Sequence, residues 1–287
     1  MSMETMKYLV TGASGQLGHD VVALLSSRGH EVVAPGRALL DLARAVDIPA
    51  YVQREWPEWI IHCGAYTKVD GAEDERQPCY EVNVRATAAL AKAAADQGSK
   101  MLYISTDYVF DGAKVGEYEV EDVPNPINYY GMTKLIGEEC VRAAMDDHLI
   151  VRISWVFGSH GENFVNKMLK LGRERSELKV VCDQRGSPTY TRDLAPLLEE
   201  MIRKGKRGTY HATNEGGCSW QEFTQEIMAQ AGLKTTVVPI ASVSYPTKAR
   251  RPLNSMLNKQ RLDAEGLHRL PHWRDALGRY LREERCT

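Results

Sequence analysis

No run of apolar residues in the 287-residue chain approaches the roughly 18 to 20 that cross a bilayer. The first residues, Met1 to Met6, lack the apolar core of a signal peptide, so a cytoplasmic protein without a membrane partner is expected. An excess of one charge is missing too: 36 Lys plus Arg stand against 38 Asp plus Glu, a formal net charge of -2. No global field draws such a chain to nucleic acid or an acidic membrane, and a small neutral or anionic ligand fits better. The six cysteines, Cys63, Cys79, Cys140, Cys182, Cys218 and Cys286, include no C-x-x-C pair. Their scatter argues against a disulfide framework or a thiolate zinc site and predicts reduced packing residues. His62 adjoins Cys63, yet no further ligand stands at metal spacing, so His62 is read as a hydrogen-bonded strand-end residue and no metal site is expected. Repeats, low-complexity tracts and Ser/Gly linkers are also absent. The length admits either one large α/β domain or two unequal lobes sharing an interface.

What is present begins with a short β-rich run, Met6-Lys-Tyr-Leu-Val10, followed by Thr11-Gly-Ala-Ser-Gly-Gln-Leu-Gly18 and the amphipathic stretch Val21-Val-Ala-Leu-Leu25 that stops at Gly29. This order reads strand, glycine turn, helix. Gly12 allows the tight turn, Gly15 lets backbone N–H groups approach a pyrophosphate, and Gly18 lets helix and strand pack closely, so the stretch predicts a dinucleotide site. The second strand, Glu31-Val-Val-Ala34, runs into Pro35-Gly36-Arg37, without the carboxylate that would grip an adenosine ribose. Arg37 either faces a 2′-phosphate, which favours NADPH, or is a solvated loop arginine. Asp41, next to Leu42, either borders the adenine or caps a helix starting near Ala43; the two uses are compatible.

Trp59-Ile-Ile-His62 reads as the third strand, and the small residues after it bring backbone close to a ligand. One long helix is expected from about Val69 to Gln97, with Asn83 on it. Met101-Leu-Tyr-Ile104 is the fourth strand and delivers Ser105 and Thr106 to the same sheet edge, where a hydroxyl either bonds a substrate carbonyl or satisfies strand-end backbone. Residues 111–128, with Gly112, Gly116, Pro124 and Pro126, read as loop. Then comes Tyr130-Gly-Met-Thr-Lys134: positions four apart share a helix face, and an ammonium beside a phenol lowers its pKa, making the pair a candidate general acid or base. After Leu149-Ile-Val-Arg-Ile153 the βαβ rhythm loosens, which predicts a smaller lobe laid against the sheet. The basic cluster around Arg250 is read as a solvated loop or a phosphate contact, and the charge run Arg279 to Arg285 as a helix surface.

With this glycine turn, Ser105-Thr106 and Tyr130-x-x-x-Lys134, the chain resembles the extended short-chain dehydrogenase/reductases. Within them it is similar to the dTDP-4-dehydrorhamnose reductases. The likeness runs from Met6 onward through Gly15-Gln-Leu-Gly18, Ala65-Tyr-Thr-x-Val-Asp-x-Ala-Glu73, Ser105-Thr-Asp-Tyr-Val-Phe110, Arg152-x-Ser-Trp155, Asn163-Phe164, Asp183-Gln-x-Gly-x-Pro-Thr189 and Arg251-Pro252. It implies a Rossmann-type doubly wound parallel sheet over residues 6–150, a smaller α/β substrate lobe over 151–287 interleaved with that sheet, and an N-terminal extension at 1–5. It implies NADPH-dependent reduction of the C4 ketone of dTDP-4-dehydro-L-rhamnose, with Thr106, Tyr130 and Lys134 catalytic. Gly12, Gly15, Gln16, Leu17, Gly18, Arg37, Asp41, Leu42, Gly64, Ala65 and Tyr66 are then expected to line the cofactor with Tyr130 and Lys134. Thr106, Asp107, Tyr108, Trp155 and Asn163 are expected to face the nucleotide-sugar. The related 4,6-dehydratases place Asp-Glu after the Thr, whereas Tyr108 stands here, so dehydration lacks a carboxylate. Where magnesium-bridged dimers of the family carry a glutamate, this chain has Arg192; a metal-bridged dimer is not expected although Asp20 offers one carboxylate, and monomer and homodimer both stay open. NADH as a second cofactor, another NDP-4-keto-6-deoxysugar as substrate, and a non-catalytic NADP-binding regulatory subunit are the alternatives.

Overall fold

The computed structural model describes residues 5–286; most of the expected N-terminal extension, and the side chains of Arg285 and Cys286, fall outside what it describes. The first half alternates strand and helix: β1 (Lys7–Thr11), α1 (Gln16–Ser27), β2 (Glu31–Val33), α2 (Ile48–Glu55), β3 (Trp59–His62), α3 (Ala86–Gln97), β4 (Lys100–Thr106), α4 (Tyr129–Ala144) and β5 (His148–Ile153). A sixth strand, β7 (Gly208–His211), joins beyond α5 (Phe164–Glu174), β6 (Glu177–Val181) and α6 (Thr191–Arg203). These six strands form one parallel sheet in the order β7-β5-β4-β3-β1-β2. Strand order reverses between β1 and β3, which opens a crevice at the carboxyl ends of the strands.

Both faces of the sheet are covered, so its strands read as near-continuous apolar runs. On one face α1 and α6 bury Leu17, Val21, Leu25, Leu194, Leu198 and Met201 against Tyr8, Val10, Leu102 and Val151. On the other, the alanines of α3 approach closely, and Ala86, Leu90 and Ala94 pack with Leu9, Ile60 and Tyr103. The remaining lobe contains α5, β6, α7 (Trp220–Ala231), β8 (Thr236–Ile240) and α8 (Trp273–Cys286), with β6 and β8 pairing in parallel. Its core is aromatic, built on Phe157, Tyr190, Phe223, Trp273 and Tyr280. Helix α7 starts on a capping box in which Ser219 and Glu222 satisfy each other's backbone N–H groups.

Three expectations are corrected in detail. The single helix over 69–97 is broken into Gly71–Asp74, Arg76–Tyr80 and a π-helical turn Glu81–Arg85 before α3 begins. Asp41 does not cap a helix at Ala43: its Oδ1 accepts the Ala43 N–H at 3.0 Å in a turn, and α2 starts at Ile48, with Pro49 in the first turn where no N–H is required. Arg279, read as helix surface, makes a two-pronged bond to Asp193 on α6 at 2.6 and 2.7 Å and ties the two helices together. Cys63, Cys79, Cys140, Cys182 and Cys218 are free thiols.

Helix α4 carries Tyr130, Lys134 and Glu138 at successive four-residue intervals on one face, with Lys134 and Glu138 buried and Tyr130 half-buried. Glu138 is 0% exposed. It accepts from Arg152 Nε at 2.9 Å and Nη2 at 2.8 Å, from Arg142 Nη2 at 2.7 Å and from Ser105 Oγ at 2.5 Å. Burial alone would raise its pKa, but the bonds and charge of Arg152, with Ser105 and Arg142, hold it below the usual glutamate value. Glu138→Ala would leave Arg152 unpaired in the core and is expected to lower unfolding free energy by about 3–5 kcal/mol, read by urea denaturation. Because the folded pKa is depressed, this stabilisation is present above the ordinary glutamate value and is lost as pH falls through the lowered one. The gap between wild type and variant is therefore expected to close in acid, and a gap unchanged with pH would assign the loss to packing alone.

Candidate active site

The glycine turn follows β1 and leads straight into α1. Gly12 has φ of 69°, and a Cβ there would lie 2.6 Å from the Gly64 nitrogen. A Cβ on Gly18 would meet the Gly12 oxygen at 2.2 Å, so these two glycines are demanded by backbone packing. Gly15 is different: only the Gly12 oxygen stands near its missing Cβ, at 3.3 Å, and as N-cap of α1 it offers no side-chain acceptor. The first N–H groups of α1 are thus left to a ligand anion.

That turn forms one wall of a cavity of about 940 Å³ at the carboxyl edge of the sheet. All the residues expected at the cofactor line it: Gly12, Gly15, Gln16, Leu17, Gly18, Arg37, Asp41, Leu42, Gly64, Ala65, Tyr66, Tyr130 and Lys134. Thr106, Asp107, Tyr108 and Trp155 line it as well, which brings the expected catalytic and sugar-facing groups into the same space. Asn163 does not. Its Oδ1 caps α5 through the Asn166 N–H at 2.9 Å, and its Nδ2 donates to the Gly158 carbonyl at 2.9 Å and to Tyr280 at 3.2 Å, so its amide is spent on structure. Two buried oxygens in the lining, Gln16 Oε1 and Asp107 Oδ2, have no hydrogen-bond partner among the described residues and suit a ligand that donates to them.

Burial governs the electrostatics. Tyr130 is held well above the ordinary phenol pKa by burial and by the nearby Asp107 carboxylate, while the polar Thr106 side chain beside it opposes the rise. Tyr130 thus lies above its ordinary value, against the lowering expected from Lys134, and keeps its proton at neutral pH. Lys134 Nζ donates to the Ile104 carbonyl at 2.7 Å and lies 4.1 Å from the centre of the Tyr103 ring. Burial pulls its pKa down to about 7, partly offset by Glu138 one turn on. Asp107 is raised to about 6 by burial, and its Oδ1 accepts the Thr106 hydroxyl at 3.0 Å. His62, bonded to Thr11 at 2.6 Å and Thr87 at 3.1 Å, is driven by burial and by Lys134 to about 3; it is a neutral structural residue, as its strand-end position predicts.

The role of Asn83 and the presence of Trp220 escaped the sequence reading. Asn83, in the π-turn, accepts the Tyr66 N–H at 2.8 Å and donates to Thr133 on α4 at 3.0 Å, so it pins the loop after β3 to the helix of the Tyr-Lys pair. Trp155, at a left-handed φ of 48°, stacks on Trp220 with ring centres 3.5 Å apart and planes 7° apart, and Trp220 lines the cavity too. Their separation along the chain hid the pair. Arg37 is 80% exposed and meets Asp41 at 3.3 Å within its own loop. Arg192 pairs with Glu283 at 2.8 Å and lies 4.0 Å from Asp20, whose other oxygen accepts the Thr191 hydroxyl. Asp20 is therefore already partnered by a hydroxyl and a cation, a poor start for a metal ligand.

Residues 6–286 match the family model described as RmlD substrate binding domain. The chain is 38% identical to the spore coat polysaccharide biosynthesis protein SpsK of Bacillus subtilis, covering 96% of this chain and 97% of that one. It is 38% identical to a dTDP-4-dehydrorhamnose reductase of Burkholderia thailandensis, over 97% of this chain and 99% of the relative. Its structure superposes with a TM-score of 0.94 on a dTDP-4-dehydrorhamnose reductase from Bacillus anthracis in complex with NADP, 39% identical, covering 98% of this chain and 100% of that chain.

The depressed Lys134 value has a measurable consequence. Between about 7 and its ordinary value near 10, the unfolded chain carries a proton on Lys134 that the folded chain does not, so stability rises with pH across that window. Wild type is expected to gain stability relative to Lys134→Met between about pH 7 and pH 10 in urea titrations. A difference flat with pH would mean that Lys134 titrates as it does in water.

Proposed function

The chain belongs to the RmlD substrate binding domain family, and from that premise we propose that it is an oxidoreductase that uses NADPH to reduce the C4 ketone of dTDP-4-dehydro-L-rhamnose. The observation that carries this reading is the meeting of Thr106, Tyr130 and Lys134 with the glycine turn on one cavity. When bound, the dinucleotide supplies the hydride. Gly12, Gly15 and the first turn of α1 would hold its pyrophosphate, and Lys134 would hold the nicotinamide ribose. Tyr130, kept protonated by burial, gives its Oη proton to the ketone oxygen as negative charge develops there. A buried phenol is a poor base and a competent acid in this setting, which suits the direction of reduction. Thr106 offers its hydroxyl to the same oxygen by turning its proton away from Asp107. Water elimination would need a second carboxylate beside Asp107, and Tyr108 occupies that position.

The substrate lobe is proposed to be drawn mainly from residues 151–287, with Trp155 and Trp220 as its aromatic wall. A cytoplasmic location and NADPH in preference to NADH complete the reading. Incubation with dTDP-4-dehydro-L-rhamnose and NADPH is expected to oxidise the cofactor and yield dTDP-L-rhamnose, with C4 configuration read by NMR. Absence of turnover, together with capture of a stoichiometric enzyme partner, would favour the regulatory-subunit alternative. Tyr130→Phe is expected to retain cofactor affinity and lose about 10²-fold or more in kcat. Full kcat in the Phe variant would remove Tyr130 from the chemistry. Arg37→Ala is expected to raise KM for NADPH more than for NADH, and equal effects would make Arg37 a solvated loop residue paired with Asp41.

A further inference from the structure

Strand β5 ends at Ile153, which pairs in register with Thr106 at the end of β4. Trp155 is two residues further on, and two residues of chain span at most about 7 Å, so Trp155 is placed near the Thr106 end of the cavity. Strands β4 and β3 lie between β5 and β1, whose turn carries the glycines. On both sides of its left-handed φ of 48° the backbone is held: Ser154 Oγ donates to the Ser187 carbonyl at 2.7 Å, and the Trp155 carbonyl accepts the Thr189 N–H at 3.1 Å. What these bonds leave open is the direction of the ring.

That direction is decided by a residue far along the chain. Trp220 opens α7, and its indole stacks on that of Trp155 with ring centres 3.5 Å apart and planes 7° apart. The short strand Cys218–Ser219 pairs antiparallel with Arg185–Gly186, Cys218 opposite Gly186, and a Cβ on Gly186 would lie 2.5 Å from Trp155 Cε2. Ser219 then accepts the Glu222 N–H at 3.1 Å, which fixes the start of the helix and with it the place of Trp220. The Phe164 ring lies 4.4 Å from Trp220 at 45°, so the indole pair is continuous with the aromatic core of the second lobe. Both indoles are half-buried and line the cavity. Trp155 offers that cavity apolar ring surface, whose negative face suits the carbon-bound hydrogens of a pyranose better than its hydroxyl oxygens.

We infer that Trp220 is a positioning residue that holds the Trp155 indole as a packing surface for the sugar ring of the bound nucleotide-sugar. The identity of that ligand rests on the reductase reading; the stack does not. Calorimetric titration of dTDP-L-rhamnose onto the NADPH complex, in which no hydride can pass, tests it. Trp220→Leu is expected to raise this Kd about tenfold and the KM for the keto sugar in parallel, with kcat and the Kd for NADPH changed less than about twofold. Trp220→Phe keeps a flat ring in the stack and is expected to stay within about threefold of wild type. A Phe variant as weak as Leu would mean that stacking is not what Trp220 supplies. In a Trp155→Leu background, Trp220→Leu is expected to cost less than about twofold more, because the ring it holds is gone. The full loss repeated there would make Trp220 itself the contact, and an equal loss of NADPH affinity would make it a general brace; either overturns the inference. Circular dichroism reads the stack without any ligand: two indoles this close couple, and the coupled band is expected to vanish in both Trp220→Phe and Trp155→Phe. A band that survives either substitution denies the stack. Wild-type turnover with an additive cycle refutes the positioning role alone. A coupled cycle on Kd without wild-type turnover refutes the reductase reading alone, and absence of binding refutes both.

Discussion

Glu138 is a carboxylate with no access to water, and four donors on α4, β4 and β5 converge on it. A charge in that position is tolerable only if every partner stays in place, because the desolvation cost is recovered through short, charge-assisted bonds. The geometry it enforces is that of the site. Glu138 fixes the rotation and height of α4, and one and two turns earlier on the same face that sets Lys134 under Ile104 and Tyr130 beside Thr106. Ser105, adjacent to Thr106, donates to Glu138, so strand and helix are registered beside Thr106 and Lys134.

Around that anchor the site is shaped more by exclusion of water than by charge attraction. Tyr130, Lys134 and Asp107 are all shifted toward their neutral forms, and burial is the first cause in each case. Such an arrangement keeps an acid loaded with its proton. It also leaves the ammonium of Lys134 only weakly favoured, so the carbonyl of Ile104 and the ring of Tyr103 are needed to hold it.

The second lobe is built differently. Its core is packed from rings, and it brings to the cavity a stacked indole pair of which Trp155 takes a backbone conformation that a bulky residue rarely adopts. Strain of this kind persists where surrounding contacts over-determine it, and here Gly186 leaves no room beside the ring: a Cβ there would lie 2.5 Å from it. The segment 248–252 links this lobe to the loop after β3 through ion pairs.

The sequence by itself determined the strand-turn-helix start, the parallel sheet and the Tyr130-Lys134 pair, because each is written in short-range periodicity, glycine placement or fixed helical spacing. It also marked most of the lining, since in a parallel sheet the loops after β1, β3 and β4 all emerge at one edge. Only the tertiary structure decided what those side chains experience. The direction of the Tyr130 shift depends on burial by distant segments, the assignment of Asn163 to a helix cap on where Gly158 and Tyr280 come to lie, and the broken helix on Asn83 reaching both Tyr66 and Thr133. Asp70 and Arg251 are 181 positions apart, and Trp155 and Trp220 likewise meet only through folding. No local pattern encodes such pairs, because desolvation and long-range pairing are properties of the packed chain as a whole.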